Sequence, residues 1–179
     1  MLKISEISKV APNDERSKLE TRVYQELEKL GIPFERVDND SVEAMEECIA
    51  IGEKLGAEIR KSVFVCDRKK INFYLVIMPA NKHFNTKVFC DKMGCSRVSF
   101  APAECMQEYL GVLPGTASVM SLLNDGNKKV KLVMDKEVAE SEWFACNPGA
   151  NTTHIKIKTD HILNRFLPYI DHMAAIVAL

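Results

Sequence analysis

One lysine stands where its side chain could take part in chemistry. Lys61 comes directly before the apolar run Ser62–Cys66, so we expect its ammonium group at the mouth of a β-strand. A cation held beside a pocket can stabilise negative charge that develops during a reaction, or bind a ribose or phosphate oxygen. The alternative is a lysine that extends into solvent from a strand end, without a chemical role.

Two loops carry polar groups that could bind a ligand. In the loop Gly111–Ser118, the turn Pro114-Gly115-Thr116 could direct backbone N–H groups at an anion, although Pro-Gly also forms ordinary turns. In the loop Asn147–Thr152, side-chain amides and hydroxyls could bind a ligand or hydrogen-bond to their own backbone. Each signal taken singly therefore has a structural alternative.

Metal and nucleotide chemistry have little support. Cys90 and Cys95 lack a zinc spacing, and no second cysteine or histidine pair accompanies them. The six cysteines are expected to be buried free thiols rather than a disulfide framework. Neither a GxGxxG nor a Walker loop occurs, so neither a dinucleotide fold nor a nucleotide triphosphatase is supported. From the spacings and these missing loops together, we predict no metal and no cofactor. The histidines show no metal spacing and are interpreted as surface or structural residues: His83, His154, His161 and His172.

Length and composition are those of an ordinary globular protein. With 179 residues, 46% of them hydrophobic and 27% charged, the chain is predicted to form one domain spanning residues 1–179. No apolar run reaches the roughly 20 residues that a membrane-spanning helix needs, and the N-terminus lacks the pattern of a signal peptide. We therefore expect a cytoplasmic location and no membrane partner.

The net charge of −1 conceals an uneven distribution of charged side chains. Residues 35–58 carry eight acidic and two basic residues, whereas residues 60–92 carry eight basic and two acidic ones. A locally basic face can bind phosphates even when the whole chain is nearly neutral. A solvated hairpin and helix surface is the alternative interpretation.

Helix and strand patterns are interspersed along the chain. Asn13 is predicted to cap a helix that ends near Leu30. Ser41 is predicted to cap a second helix, with Val42, Met45 and Ile49 facing inward. The strands Ser62–Cys66 and Ile71–Met78 are predicted to form a hairpin. This mixture favours an α+β fold with a mixed sheet. Further strands are expected at 34–37, 97–100, 119–123, 130–134 and 153–157, and further helices from 85, from 102 and over 160–170.

Several segments together, in their order along roughly residues 20–170, resemble the YbaK/ProX family, the editing domain associated with bacterial prolyl-tRNA synthetase. The segments that carry this resemblance are Gly31–Asp38, Lys61–Asp67, Phe73–Pro79 with Lys82, Arg97–Ala101, Gly111–Ser118 with Leu123–Asp125, and Asn147–Thr152.

The resemblance implies a mixed, curved β-sheet with surrounding helices, and an enzyme that hydrolyses the ester of a mischarged tRNA, foremost Ala-tRNA(Pro). It implies that no metal is used and that a ribose hydroxyl of the substrate helps to activate water. Lys61 would be the catalytic residue, acting as a fixed charge. The partner would be the aminoacylated acceptor end of tRNA. Prolyl-tRNA synthetase could be a second partner. The substrate-binding residues implied are Ser62, Pro114, Gly115, Thr116, Ser118, Asn147, Asn151 and Thr152.

Three positions depart from the family pattern. Ser62 stands where many members have asparagine, Asn147 where many have histidine, and Thr116 where serine is usual. Because one methylene in a pocket changes preference by only ~1–3 kcal/mol, such changes bear on which amino acid is removed. Serine, threonine or cysteine are therefore alternative substrates. Two other functions stay open: a non-catalytic module that binds tRNA or a synthetase, and a hydrolase of small esters unrelated to tRNA.

Overall fold

The computed structural model describes residues 2–179, which form two β-sheets with helices packed against them. The strands are β1 Glu35–Asp38, β2 Lys61–Asp67, β3 Phe73–Met78, β4 Val98–Phe100, β5 Val130–Asp135, β6 Trp143–Cys146, β7 Thr153–Lys158 and β8 Ala174–Val177. The helices are α1 Lys18–Lys29, α2 Cys48–Leu55, α3 Thr86–Met93, α4 Ala103–Leu110, α5 Lys136–Glu140, α6 Thr159–His161 and α7 Leu167–Tyr169, with a 3-10 helix at Val119–Asn124 and a π-helix at Ile162–Phe166.

The larger sheet has five strands in the order β4-β2-β3-β5-β8. Strand β2 is antiparallel to β3 and β4, whereas β3, β5 and β8 run parallel to one another. The start of β2 and the ends of β3 and β5 therefore meet at the same edge of the sheet. The sheet is mixed, as the sequence predicts.

The smaller sheet is antiparallel, in the order β1-β7-β6. A parallel bridge between Ile59 and Ala145 joins it to the chain that enters β2. The backbone N–H of Arg60 also donates to the carbonyl of Ala145, at 2.8 Å. The two sheets therefore come together immediately before Lys61.

Three apolar clusters hold the elements in place. The largest lies between the two sheets and buries the inner face of α1, including Val23 and Leu27, and the π-helix residue Phe166. The second packs α3, through Phe89, against the opposite face of the five-stranded sheet. The third packs α2, through Ile51, against the three-stranded sheet. Burial of large side chains of this kind contributes about 1.5–3 kcal/mol each.

The predicted α+β fold class with surrounding helices is confirmed, and several element boundaries differ from the prediction. Ser17 caps α1 instead of Asn13, because its hydroxyl accepts the N–H of Glu20. Residues 119–123 are helical rather than a strand. Strands β6 and β8 were not predicted. Within residues 2–179, no helix is long and apolar enough to cross a membrane.

Candidate active site

Lys61 lies at the sheet edge where three strand ends meet. It is the first residue of β2 and pairs with Met78, the last residue of β3. Its half-buried side chain reaches past that strand end, and its ammonium Nζ donates to the carbonyl oxygen of Lys82 at 2.7 Å. Among residues 2–179, Lys61 forms no ion pair with a carboxylate. Its positive charge is therefore held in place by a neutral acceptor.

Lys82 lies in the turn after β3, and its own ammonium forms ion pairs with two carboxylates. It contacts Asp135 Oδ2 at 2.9 Å and Glu137 Oε1 at 2.8 Å. The hydrogen bonds that Lys82 donates to Glu137 and Asp135 raise the pKa of Lys82 above its ordinary value. Asp135, the last residue of β5, is completely buried, and its other oxygen accepts the N–H of Glu137 at the start of α5.

A cavity of about 720 Å³ lies beside α2 and the turn that holds Lys82. Ala80 and Asn81 of this turn and Ile59, two residues before Lys61, line it. Lys61 follows this wall by two residues, but its own side chain does not line the cavity. The prediction that Ile49 faces the core is wrong, because its side chain is 60% exposed and lines the cavity. The remaining lining residues from this region are Met45, Glu46, Cys48, Gly52, Glu53, Gly56, Ala57 and Glu58.

The helix α2 begins later than predicted, which explains the position of Ile49. The carboxylate of Glu47 accepts the backbone N–H groups of Glu43 and Ala44, at 2.8 and 3.1 Å. These bonds hold the segment before Cys48 in a turn instead of the helix expected from Ser41. The helical phase therefore places Ile51 and Leu55, rather than Ile49, against the core.

The loops Gly111–Ser118 and Asn147–Thr152 contact each other directly. The hydroxyl of Ser118 donates to the carbonyl of Asn147 at 2.8 Å and accepts the N–H of Met120 at 3.2 Å. Ser118 is 1% exposed and caps the 3-10 helix. Its hydroxyl thus connects the two loops. The side-chain oxygen of buried Asn147 accepts the N–H of Gly149 at 2.9 Å, which closes the second loop on itself.

The turn Pro114-Gly115-Thr116 is the more exposed part of the first loop. Gly115 has a positive φ of +87°. Pro114 is exposed, and Thr116 is half-buried. The hydroxyl of Thr116 donates to the carbonyl of Leu113 at 2.8 Å. Thr116 and Gly149 line a second cavity, of about 550 Å³, together with the start of α1. The two loops therefore share a surface.

Asn151 and Thr152 join the second loop to the segment before α2. The amide of Asn151 donates to the carbonyl of Val42 at 2.9 Å. The carbonyl of Thr152 accepts the N–H of Asn39 at 2.8 Å, while the Thr152 side chain is exposed. These contacts place both residues near the chain that leads to the cavity beside α2.

The predicted residues fall into two neighbouring groups: Lys61 and Ser62 on β2, and the residues of the two loops. Lys61 and Asn147 each lie two residues beyond the parallel bridge between Ile59 and Ala145, so both leave the junction of the sheets in the same direction. Ser62 alternates with Lys61 in β2 and therefore points to the opposite face of the sheet, toward the large core cluster.

The family of the chain follows from comparison with known proteins. Residues 40–164, more than half of the chain, match the family described as the aminoacyl-tRNA editing domain. The chain belongs to this family. The resemblance to YbaK/ProX proteins that the motifs indicate is confirmed.

Relatives of this editing domain share about a quarter to a third of its residues. The prolyl-tRNA editing protein ProX of Acetoanaerobium sticklandii is 28% identical over 140 residues, which cover 78% of this chain and 85% of that protein. The prolyl-tRNA synthetase associated domain-containing protein 1 of Mus musculus is 30% identical over 151 residues, covering 82% and 89%.

Solved structures share the editing-domain fold. A hypothetical protein superposes with a TM-score of 0.67 at 18% identity, covering 87% of this chain and 98% of its own. A protein provisionally described as a trans-editing enzyme for prolyl tRNA synthetase gives a TM-score of 0.65 at 15% identity, covering 92% and 99%. At these identities the likeness shows the fold.

Two charged residues of the editing domain were not predicted to have a role. The Lys82 carbonyl accepts the ammonium of Lys61, and the Lys82 side chain binds Asp135. An aspartate at the end of an apolar strand and before a short helix is the one sequence signal that marks Asp135, as a helix cap. Its pairing with Lys82 joins positions 53 residues apart, which the sequence does not reveal.

The surroundings of the thiols agree only in part with the prediction that all six are buried. His154 is buried in β7, where its Nδ1 lies 2.9 Å from Asn39 Oδ1, and burial lowers its pKa to about 4. Three thiols are buried and three are half-buried. Within residues 2–179, no three His, Cys, Asp or Glu side chains are grouped to hold a metal ion.

Proposed function

We propose that this protein hydrolyses the ester bond between an amino acid and the terminal ribose of a mischarged tRNA, with Ala-tRNA(Pro) as the foremost substrate. The observation that carries the proposal is the position of Lys61. It is a cation without a carboxylate partner in the described chain, two residues after Ile59, which lines a cavity, in a member of the aminoacyl-tRNA editing family. Serine, threonine and cysteine are the alternative amino acids.

Hydrolysis of an aminoacyl ester needs few catalytic groups from the protein. An aminoacyl ester is already activated, so positioning and stabilisation of the oxyanion can suffice. Water adds to the ester carbonyl, the bond to the ribose oxygen breaks, and the water proton passes to that oxygen, giving a free amino acid and a ribose hydroxyl. The ammonium of Lys61 would stabilise the negative oxygen of the intermediate. As a compact charge held by one hydrogen bond, it suits this role.

The two loops would hold the terminal adenosine. Pro114 and Gly115 are exposed, and of the two only Gly115 has a backbone N–H that could donate to a nucleotide. Ser118 and Asn147, which are buried, would act by keeping the two loops in contact through their mutual hydrogen bond. Thr116, Asn151 and Thr152 complete the proposed binding surface, and Ser62 would act from the other face of β2.

A basic surface beside the hairpin would bind the tRNA backbone. A groove of about 620 Å³ is lined by Arg68, Lys70 and Arg97, which are all exposed, and by Phe100, whose side chain is 72% exposed. Guanidinium and ammonium groups bind phosphates, and an exposed aromatic ring can stack on a base. This arrangement favours tRNA over a small ester as the substrate.

The residues outside the matched range 40–164 would belong to the same domain. Ile4 and Ser8 pair with Asn39 and Arg36 at β1, and β8 completes the five-stranded sheet. We propose one editing domain over residues 1–179, acting in the cytoplasm on the product of prolyl-tRNA synthetase.

The test is deacylation of tRNAs charged with alanine, serine, threonine, cysteine and proline by the wild-type protein and by Lys61→Ala. We expect one mischarged species to be hydrolysed, and the variant to be folded and inactive. Binding of tRNA without hydrolysis of any species would refute the proposal in favour of a non-catalytic module. Hydrolysis of small esters with no response to tRNA would refute it in favour of a different hydrolase.

A further inference from the structure

Lys82 is bonded through its backbone and its side chain at once. Its carbonyl oxygen accepts the ammonium of Lys61 at 2.7 Å, and its N–H donates to the carbonyl of Pro79 at 3.2 Å. Its side chain reaches the end of β5 and binds Asp135 and Glu137. The turn that presents the carbonyl is thus held at one end by β3 and at the other by this ion pair.

The burial of Asp135 makes the contact with Lys82 more than a surface ion pair. Asp135 is 0% exposed, and a buried carboxylate without a partner is strongly destabilising. One of its oxygens binds Lys82 and the other caps α5, so its orientation is fixed from two sides. Glu137, by contrast, has an exposed side chain and adds a contact that solvent weakens.

We propose that the ion pair between Lys82 and Asp135 is a positioning device, which holds the Lys82 carbonyl and through it the ammonium of Lys61 in the orientation needed for ester hydrolysis. This inference rests on the proposed function, in which Lys61 is the catalytic residue. Lys82 and Asp135 would be positioning residues, because neither has to touch the substrate.

The physical reason is the freedom of a lysine side chain. Four rotatable bonds let an ammonium group occupy many positions, and a displacement of about 1 Å in a reacting geometry can reduce a rate by about 10²-fold. The Lys82 carbonyl restricts Lys61 only if its own turn is immobile. Since two carboxylates neutralise Lys82, it also does not compete with Lys61 for the negative charge of an intermediate.

Two other roles would account for the same contacts. The ion pair could serve stability alone, or Lys82 could exchange its carboxylates for a phosphate of the tRNA. A stability role predicts lower melting temperatures with an unchanged rate per folded molecule. A phosphate contact predicts a higher KM and a weaker dependence of binding on salt.

The experiment compares Lys82→Met, Asp135→Asn and the double variant with wild type, using the charged tRNA that wild type hydrolyses. Lys136→Met is the matched control, because Lys136 directly follows Asp135 and, within residues 2–179, pairs only with the exposed Glu140. For Lys82→Met we expect kcat to fall on the order of 10- to 100-fold with KM and salt dependence unchanged. An unchanged kcat, or a raised KM with a weaker salt dependence, would overturn the proposal.

The double variant separates rate from stability. Lys82→Met leaves the Asp135 carboxylate buried without its lysine, so the melting temperature should fall. Adding Asp135→Asn removes the unpaired charge and should restore much of the melting temperature. The rate should stay low, because the carbonyl of residue 82 is still not anchored. Recovery of the rate together with the melting temperature would show that the pair is only structural.

A second measurement does not depend on turnover. The rate at which an amine-directed reagent labels Lys61 in the free protein, relative to the exposed Lys9, reports how firmly the ammonium is held. We expect this ratio to rise several-fold in Lys82→Met and to stay unchanged in Lys136→Met. An unchanged ratio in both would refute the positioning role. A raised ratio in a protein whose wild type hydrolyses no charged tRNA would refute the proposed function while supporting the positioning of Lys61.

Discussion

The ammonium of Lys61 donates a hydrogen bond to the carbonyl oxygen of Lys82, with 2.7 Å between the two atoms. The contact joins the first residue of β2 to the turn after β3, whose residues Ala80 and Asn81 line the cavity at α2. It leaves the charge of Lys61 available to a ligand, because a carbonyl oxygen orients an ammonium group without neutralising it. A catalytic cation needs this combination of fixed direction and uncompensated charge.

Replacement of Lys61 by methionine should abolish most hydrolysis without unfolding the protein. Loss of one group that stabilises an oxyanion typically costs about 10²–10³-fold in kcat. The side chain is half-buried and makes a single hydrogen bond to a neutral oxygen, so the melting temperature should change little. Single-turnover deacylation and thermal melting test both statements, with Lys136→Met as the control. A folded Lys61→Met variant with the wild-type rate would contradict the assigned role.

Arg97 and Phe100 should affect tRNA binding in different ways. If Arg97 contacts a phosphate, Arg97→Gln should weaken binding and reduce the slope of log K against log salt by about 1. If Phe100 stacks on a base, Phe100→Ala should weaken binding by about 1–3 kcal/mol and leave the slope unchanged. Filter binding of uncharged tRNA over a salt series measures both, with the exposed Lys9→Gln as the control. Wild-type affinity in both variants would place the tRNA elsewhere.

The sequence predicts the strands of the site better than the contacts between its side chains. The hairpin of β2 and β3 is recognisable because apolar strands flank a polar turn, and the family motifs locate Lys61 and both loops. What the sequence does not reveal is long-range pairing. The contact of Lys82 with Asp135 depends on β3 and β5 being parallel neighbours, and no local pattern records this adjacency.

The position of Ile49 shows a second limit of prediction from sequence. Its spacing from Met45 fits a helix that begins at Ser41, which would place Ile49 in the core. The side chain of Glu47 instead caps backbone N–H groups before Cys48 and delays the helix. A local side-chain bond thus changes the helical phase and turns an expected core residue into a cavity residue.

Gly149→Ala should destabilise the protein more than an equivalent change at Gly56. Gly149 has a φ of +111°, and a Cβ there would lie 2.7 Å from Cδ2 of the buried Leu19. The strained backbone and the overlap together should lower the free energy of unfolding by about 2–5 kcal/mol. Gly56 also has a positive φ, of +66°, but no atom within 4 Å of a Cβ, so about 1 kcal/mol is expected. Urea unfolding compares the two, and equal losses would contradict the packing of Leu19 on Gly149.

His154 should make the protein less stable as the pH falls from about 6.5 toward 4. Burial lowers its folded-state pKa to about 4, whereas an unfolded histidine titrates near 6.5. Between these values the unfolded chain binds the additional proton, so the free energy of unfolding decreases as pH falls, by on the order of 2–3 kcal/mol. The side-chain amide of Asn39 donates to the carbonyls of Asp40 and Asn151, so its oxygen faces His154 and the histidine carries its proton on Nδ1.

Urea unfolding of wild type and His154→Gln at pH 7 and pH 4.5 tests this dependence. Burial also lowers the pKa of His172, and carboxylates titrate in the same range, so the loss in wild type has several sources. The difference between wild type and His154→Gln isolates the contribution of His154, and the exposed His83→Gln serves as the control. Wild type should lose more stability than His154→Gln on acidification, while His83→Gln should follow wild type. Equal losses in all three proteins would show that His154 takes up its proton without disturbing the fold.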